Sequence, residues 1–473
     1  MGFPDVVLYF VIAGTNLQWV ATAAAAGPGS IAVWGIGFLA MFVPLAYVIV
    51  GLSSRYPQEG GLYVWSKRAF GEFAGFLTGW TYWSSNLPYF PGILYFAAAS
   101  ALAIGADRFA GLSQSPAFYM TASILGLALA TAVNVVGLGA GKWLTNVGAL
   151  ARCAATLVLV AIGAAVWYRF GSATAFTRAT MAPRLHFRDV VFWSTIAFAW
   201  TGCESASFMG EEIRDARRNV PRAIFASAPF VAAIYVLGTV AVLAVRPEGS
   251  VNALEGVNQA IRSGAERLGW PGLAALGAAL VCVSSLGSVC AWLASVARIP
   301  FVAGLDRFLP EGFGRLHPRW GSPHVALWTQ SAVTVVFVVL GQAGTTVRGA
   351  YDFLVSMMVI VTFIPFLFLF AAAGKLLRGA EQPGLIRLPG GRRAVVALSA
   401  VGFLTTVASI VLALFPAEEE PHKAFAVAKI LVSTALLLAA GLFVYRSGKK
   451  RAGSVSLSSS APLPSSPSPG GEG

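Results

Sequence analysis

Stretches of about twenty residues almost free of charge recur along most of this 473-residue chain, and nothing else restricts its fold as tightly. A helix needs about 20 apolar residues to cross the hydrocarbon of a bilayer. Twelve stretches of that kind can be read: about 5–26, 30–52, 71–106, 115–136, 143–168, 190–209, 221–245, 269–302, 323–341, 350–373, 394–415 and 424–445. With 57% hydrophobic and 11% charged residues, the composition lies far outside the soluble range. The expectation is an all-α membrane protein of twelve transmembrane helices filling residues 1–446, followed by a Ser/Pro/Gly-rich cytoplasmic tail at 447–473 that cannot bury a core and is expected to be disordered.

The formal net charge of +13 invites a nucleic-acid partner, but the cations follow the loops. With the amino terminus placed in the cytoplasm, 21 of the 33 Lys and Arg fall in inside loops, the inner ends of spans and the tail, 10 fall outside, and Arg152 and Lys429 lie deeper within spans. That asymmetry predicts an inner (plasma) membrane protein with both termini cytoplasmic and the lipid bilayer, not nucleic acid, as its large-scale partner. The first stretch lacks a basic flank and eleven further spans follow, so it reads as a span and not as a signal peptide. Cys153, Cys203, Cys282 and Cys290 all lie in spans without a C-x-x-C pair, which leaves no basis for a disulfide framework or a metal site.

Two of the spans break in the middle. Ala13-Gly14-Thr15-Asn16 interrupts the first and Trp200-Thr201-Gly202-Cys203-Glu204 the sixth, with Gly14 and Gly202 standing 188 residues apart. Backbone that leaves the helix inside hydrocarbon has unpaired N–H and C=O groups costing several kcal/mol each, and it persists only where it lines a cavity or binds something. Spans three and eight share a second oddity. Phe73 to Ala106 and Trp270 to Ala297 carry no charge and are too long to cross upright, so both should tilt. Repeat one at about 5–168 and repeat two at about 190–373 therefore predict an inverted five-plus-five repeat with broken helices one and six and two extra helices at about 394–445. Gly71, Gly75 and Gly79 form a small-residue face suited to close helix approach.

The run Arg55-Tyr56-Pro57-Gln58-Glu59-Gly60-Gly61-Leu62-Tyr63-Val64-Trp65, continuing to Gly79-Trp80, resembles the signature of the amino acid-polyamine-organocation permease superfamily. So does Phe198 to Pro221, with Gly202, Glu204, Glu211-Glu212 and Asn219-Val220-Pro221-Arg222. The resemblance covers about residues 1–446 and implies a secondary transporter. One departure stands out: Gly14-Thr15-Asn16-Leu17-Gln18 replaces the Gly-Ser-Gly type of break in helix one.

A break near Asn16 creates a helix amino terminus around Gln18 to Val20, whose N–H groups and positive dipole end suit a carboxylate. A break near Trp200 exposes the carbonyls of Phe198 and Ala199, which suit an ammonium. The candidate substrate-binding residues are thus Gly14, Thr15, Asn16, Gln18, Phe198, Trp200, Thr201 and Gly202, with Trp83, Asn86 and Tyr89 of span three and Ser356 and Met357 of span ten as a further wall. A simple Gly kink repaired by Thr15 or Thr201 is the plainer alternative. The resemblance makes Trp200 the aromatic lid.

Glu204 lies near mid-membrane, where an acid is either a proton carrier or a cap for exposed N–H groups. Arg152 stands ten residues beyond Lys142, about 15 Å along helix five. The resemblance implies that a basic residue there takes the place of a sodium ion, with Ser284, Ser285 and Ser288 of span eight as facing partners. Arg does not release its proton, so Arg152 would be a fixed charge. Enzyme motifs fail: Gly35-Ile36-Gly37-Phe38-Leu39-Ala40 fits a dinucleotide pattern only inside an apolar span, and Gly141-Lys142-Trp143 is no phosphate loop. The reading is a permease without cofactor, whose partners are a small-molecule substrate, an amino acid with neutral ones in front, and a co-transported proton at Glu204. A polyamine or cationic amino-acid permease, which would need Glu204 or Asp352 against the substrate, is the near rival, and a non-transporting amino-acid sensor the more distant one. The oligomeric state is not readable from the sequence.

Overall fold

The computed structural model describes residues 1–183, 187–306, 308–342, 347–378, 386, 388–415 and 423–459. Among these the secondary structure is helical throughout, as lipid demands of backbone polar groups that must pair within their own segment. The helices are α1 (Phe3–Ala13), α2 (Leu17–Ala25), α3 (Ser30–Gly37), α4 (Val43–Arg55), α5 (Leu62–Phe70), α6 (Glu72–Ile104), α7 (Pro116–Val136), α8 (Leu138–Phe170) and α9 (Arg178–Met181). They continue with α10 (Phe187–Ala199), α11 (Ala216–Val245), α12 (Gly256–Leu268), α13 (Gly272–Val296), α14 (Arg298–Leu305), α15 (His324–Gln342), α16 (Val347–Leu376), α17 (Gly391–Ala413) and α18 (Lys423–Ser459). A π-helical turn at Phe38–Phe42 joins α3 to α4, and a 3-10 segment at Ser205–Glu212 follows α10.

Nine helical segments among the described residues are long and apolar enough to span a bilayer, and His324–Leu340 is a shorter apolar one. The chain is a multi-pass membrane protein. Segment 190–209 is the expected span that departs most from a rod: α10 stops at Ala199 and the chain resumes as the 3-10 turn of Ser205–Glu212. At the far end, α18 continues to Ser459, past the start at Ser447 of the tail expected to be disordered.

In lipid the apolar side chains gain little by leaving their solvent, and close packing and internal hydrogen bonds hold the helices together. The most extensive packing joins α8 with α13, α16 with α6, and α13 with α6, while α1, α2 and α4 lie along α11. Small residues permit this. A Cβ at Gly148 of α8 would sit 2.6 Å from the Cα of Gly287 on α13, so the two backbones touch there. Gly75 and Gly79 of the small-residue face likewise leave room for Lys67 and Tyr63 of α5, whereas Gly71 has open space.

One face of the molecule gathers the amino terminus, the Tyr56–Gly61 loop, Ser205–Asp215 and α14. There the Met1 ammonium donates to the Glu212 carbonyl at 2.5 Å and Arg214 N donates to Met1 O at 3.0 Å. We call it the amino-terminal face.

Candidate functional site

The two breaks meet in the core. Between α1 and α2, Gly14 N still donates to Phe10 O at 2.8 Å, then the backbone extends at Asn16, with φ −144° and ψ 128°. Asn16 caps α2: its Oδ1 accepts from Gln18 N at 3.4 Å and its carbonyl from Trp19 N at 3.0 Å. After α10, Gly202 takes φ +114°, and a Cβ there would lie 2.7 Å from Ala13 O and 3.0 Å from Gly14 Cα. One break therefore rests directly on the other, and the second works only with a glycine at its centre.

The exposed backbone groups expected at the breaks are engaged within the chain in this conformation. Phe198 O accepts from Thr201 N at 2.9 Å and from Thr201 Oγ1 at 2.8 Å. The Tyr235 hydroxyl of α11 accepts from Asn16 N at 3.3 Å and lies within donating distance of both Gly14 O, at 3.1 Å, and Ala199 O, at 3.0 Å. Tyr235 has no signal of its own in the sequence. It sits in an ordinary apolar span 33 residues beyond Gly202, and only the fold brings it between the breaks. Tyr235→Phe should leave at least one of these buried groups unpaired and lower stability by about 1–3 kcal/mol. The check is the melting temperature of the purified variant, which an idle hydroxyl would leave unchanged.

Phe198 and Trp200 diverge. Phe198 points to the centre, 5.5 Å ring to ring from Trp19, 6.3 Å from Tyr89 and 6.4 Å from Phe363. Trp200 faces the other way. Its Nε1 donates to Trp34 O at 3.1 Å, its ring packs on Trp34, Phe38 and Tyr235, and Gly37 leaves space for it. Trp83 also lies off the centre, donating through Nε1 to Gln330 Oε1 at 3.1 Å. Asn86 donates back to Tyr82 O at 2.8 Å on its own helix. The side chains of Asp352, Ser356 and Met357 lie outside the described ones.

Near Tyr89 and the first break the polar groups are incompletely paired. Asn16 Nδ2, both amide atoms of Gln18 and Trp292 Nε1 are buried with no hydrogen-bond partner among the described residues. The Tyr89 hydroxyl adjoins Asn16, and the Trp292 ring stands 5.7 Å from Tyr89, edge to face. A buried unpaired polar group costs about 1–3 kcal/mol, so a cluster of them is the mark of a place where something else is meant to bind. Trp292 also went unseen in the sequence, one of several aromatic residues in an apolar span.

Arg152 of α8 is fully buried against the first break. Its Nη1 donates to Thr15 O, a close contact, and to Thr15 Oγ1 at 3.3 Å. Nε donates to Ser284 Oγ at 3.1 Å, and Nη2 to Ser284 O at 3.3 Å and Ser288 Oγ at 2.9 Å. These contacts match the five donors of a guanidinium in number. Ser285, by contrast, donates to Val281 O on its own helix. Glu204 is fully buried too: Oε1 accepts from the Tyr82 hydroxyl at 2.7 Å and Oε2 from Gly202 N at 2.8 Å. It braces the second break from behind.

Comparisons with known proteins identify the family and the fold. Residues 5–440 match the amino acid permease family. An uncharacterized transporter of Legionella pneumophila is 26% identical over 89% of this chain and 90% of its own. The Bacillus subtilis glutamate/serine transporter AimA is 25% identical over 67% of this chain and 60% of its own, and a probable agmatine/putrescine antiporter, AguD, of Lactococcus lactis is 22% identical over 68% and 67%. The crystal structure of MhsT in complex with L-phenylalanine superimposes with a TM-score of 0.61 over 86% of this chain and 98% of that one, at 12% identity, so the fold is shared. The chain belongs to the amino acid permease family: it is a multi-pass membrane transporter of small molecules and not an enzyme.

Proposed function

We propose that this protein carries α-amino acids across the plasma membrane by alternating access, with neutral amino acids the leading class. The observation that carries the reading is the cluster beside the first break: the buried, unpaired amide of Gln18 and indole N–H of Trp292, with Asn16 against the Tyr89 hydroxyl, the fixed positive charge of Arg152 close by and both oxygens of Glu204 already engaged. Donors without an opposing free carboxylate suit a ligand that brings its own carboxylate and disfavour one that brings only positive charge. The ammonium of such a ligand would take the Ala199 carbonyl in exchange for the Tyr235 hydroxyl, and Phe198 would close over it. Trp200 would then anchor α10 to α3 and Trp83 would steady α6. Twelve crossings in an inverted five-plus-five arrangement, with both termini cytoplasmic, complete the scheme, supported by the paired breaks and by the long α6, uncharged after Glu72, and the uncharged α13.

The names of relatives point to two substrate classes: a glutamate/serine transporter favours amino acids, and a probable agmatine/putrescine antiporter favours polyamines. Purified protein warmed with a panel of ligands decides, because binding raises the melting temperature through RT ln(1 + [L]/Kd). Alanine, serine, leucine, phenylalanine and glutamate are compared with their esters, their decarboxylated amines and putrescine. Stabilisation by one or more free amino acids, lost on esterification or decarboxylation, is expected. Stabilisation by putrescine with none from amino acids would replace this reading with the polyamine one.

A further inference from the structure

The amino-terminal face is held by a buried arginine and two part-buried carboxylates that the central site does not use. The loop from Tyr56 to Gly61 packs on the 3-10 segment 205–212: Gly60 N donates to Phe208 O at 3.3 Å, and Gly61 lies against Ser207. Arg298, at the start of α14 and 4% exposed, faces both elements. Its Nη2 and Nε donate to Glu212 Oε1 at 2.6 and 3.2 Å, its Nη1 donates to Ala294 O, and Glu59 Oε1 stands 3.9 Å from Nε. One guanidinium thus meets two carboxylates, and Glu212 Oε2 is buried with no partner among the described residues. Glu211 adds a third acid nearby. The Met1 ammonium lies on the Glu212 carbonyl at 2.5 Å, with Arg214 beside it, while the other neighbouring charges are committed elsewhere: Lys67 and the Tyr63 hydroxyl bind Asp306 at 2.8 and 2.5 Å, and Arg55 donates to Leu376 O at 3.0 Å.

We propose that Glu59 is a proton-binding site that locks the amino-terminal face shut, its neutral form letting the loop stay seated on the Arg298–Glu212 pair. This rests on the alternating-access reading above. Arg298 can neutralise one carboxylate at short range. A second full negative charge, with its side chain only 15% exposed and 3.9 Å away, is tolerated poorly unless protonated. Burial pushes the Glu59 carboxyl up to about 7, with Glu212 and Glu211 reinforcing the rise and Arg298 opposing it. When the face opens, the carboxyl is hydrated and returns towards its ordinary 4.5. The closed state therefore binds the extra proton. Its advantage is present at mildly acid pH and fades as pH rises through about 7, a change of about ten-fold in the closing equilibrium between pH 6 and pH 8.

Cys203, 5% exposed and two residues before the 3-10 segment on which the Glu59 loop packs, is a native reporter once Cys153, Cys282 and Cys290 are replaced by alanine. Labelling of Cys203 by an impermeant thiol reagent in nanodiscs is followed against pH in this background and in Glu59→Gln, whose ratio cancels the thiol's own titration. The wild-type rate, relative to Glu59→Gln, should rise about ten-fold from pH 6 to pH 8. Glu212→Gln, which releases Arg298 to Glu59, should move the midpoint to lower pH and decides the matter alone if Glu59→Gln fails to reach the membrane. A ratio that does not change with pH, or an unmoved midpoint in Glu212→Gln, overturns the proposal. A cysteine that never reacts at any pH in any variant would instead overturn alternating access itself.

Discussion

Replacing Gly202 by alanine should abolish uptake while the protein still reaches the membrane. A side chain at φ +114° costs about 1–3 kcal/mol in backbone strain alone. The added Cβ would also lie 2.7 Å from Ala13 O and 3.0 Å from Gly14 Cα. Both neighbours are backbone, so no rotamer relieves the overlap, and the breaks must separate. That displacement pulls Ala199 O and Gly14 O off the shared Tyr235 hydroxyl. Uptake of whichever amino acid the ligand panel selects, normalised to surface expression of a fluorescent fusion, is the measurement. Uptake within a few-fold of wild type would mean that the contact between the breaks is incidental to transport.

Arg152 carries the second large effect. Its contacts to Thr15, Ser284 and Ser288 tie the first break to α13, and an ammonium offers only three donors in place of five. Arg152→Lys should leave acceptors unpaired at a cost of about 1–3 kcal/mol and reduce uptake about ten-fold or more. Because a fixed positive charge already fills the place beside Thr15 O, uptake by the unmodified protein should be unaffected when external sodium is replaced by choline. A steep sodium requirement in proteoliposomes would reduce Arg152 to a structural strut.

Much of this architecture is legible in the sequence, for reasons that differ from place to place. Membrane-length apolar runs reveal themselves because lipid tolerates little else. Glycine beside polar residues inside such a run marks Gly14 and Gly202, and helical rise alone sets the depth of Arg152. Side-chain direction is harder. Phe198 and Trp200 are two residues apart, and which one turns inward depends on where α10 stops, a matter of one residue that composition does not encode. Tyr235 and Trp292 are harder still, since an aromatic residue in an apolar span looks the same whether it packs or binds. Glu59 and Arg298 lie 239 residues apart and meet only in the folded chain.

The Tyr235 hydroxyl has a consequence for how the carrier cycles. Carbonyls released at a helix break must be paired at every stage of a transport cycle, or they draw in water. The phenol holds Gly14 O, Ala199 O and Asn16 N in register from within the chain. In the proposed reading cargo would enter by substitution: the ligand's ammonium would replace one hydrogen bond with another, and the displaced hydroxyl would pass to Gly14 O. Such an exchange holds affinity down, since each gained contact is offset by one released, and it makes loaded and unloaded forms close in energy. Near-degenerate states of that kind suit a shuttle that must change sides in both conditions.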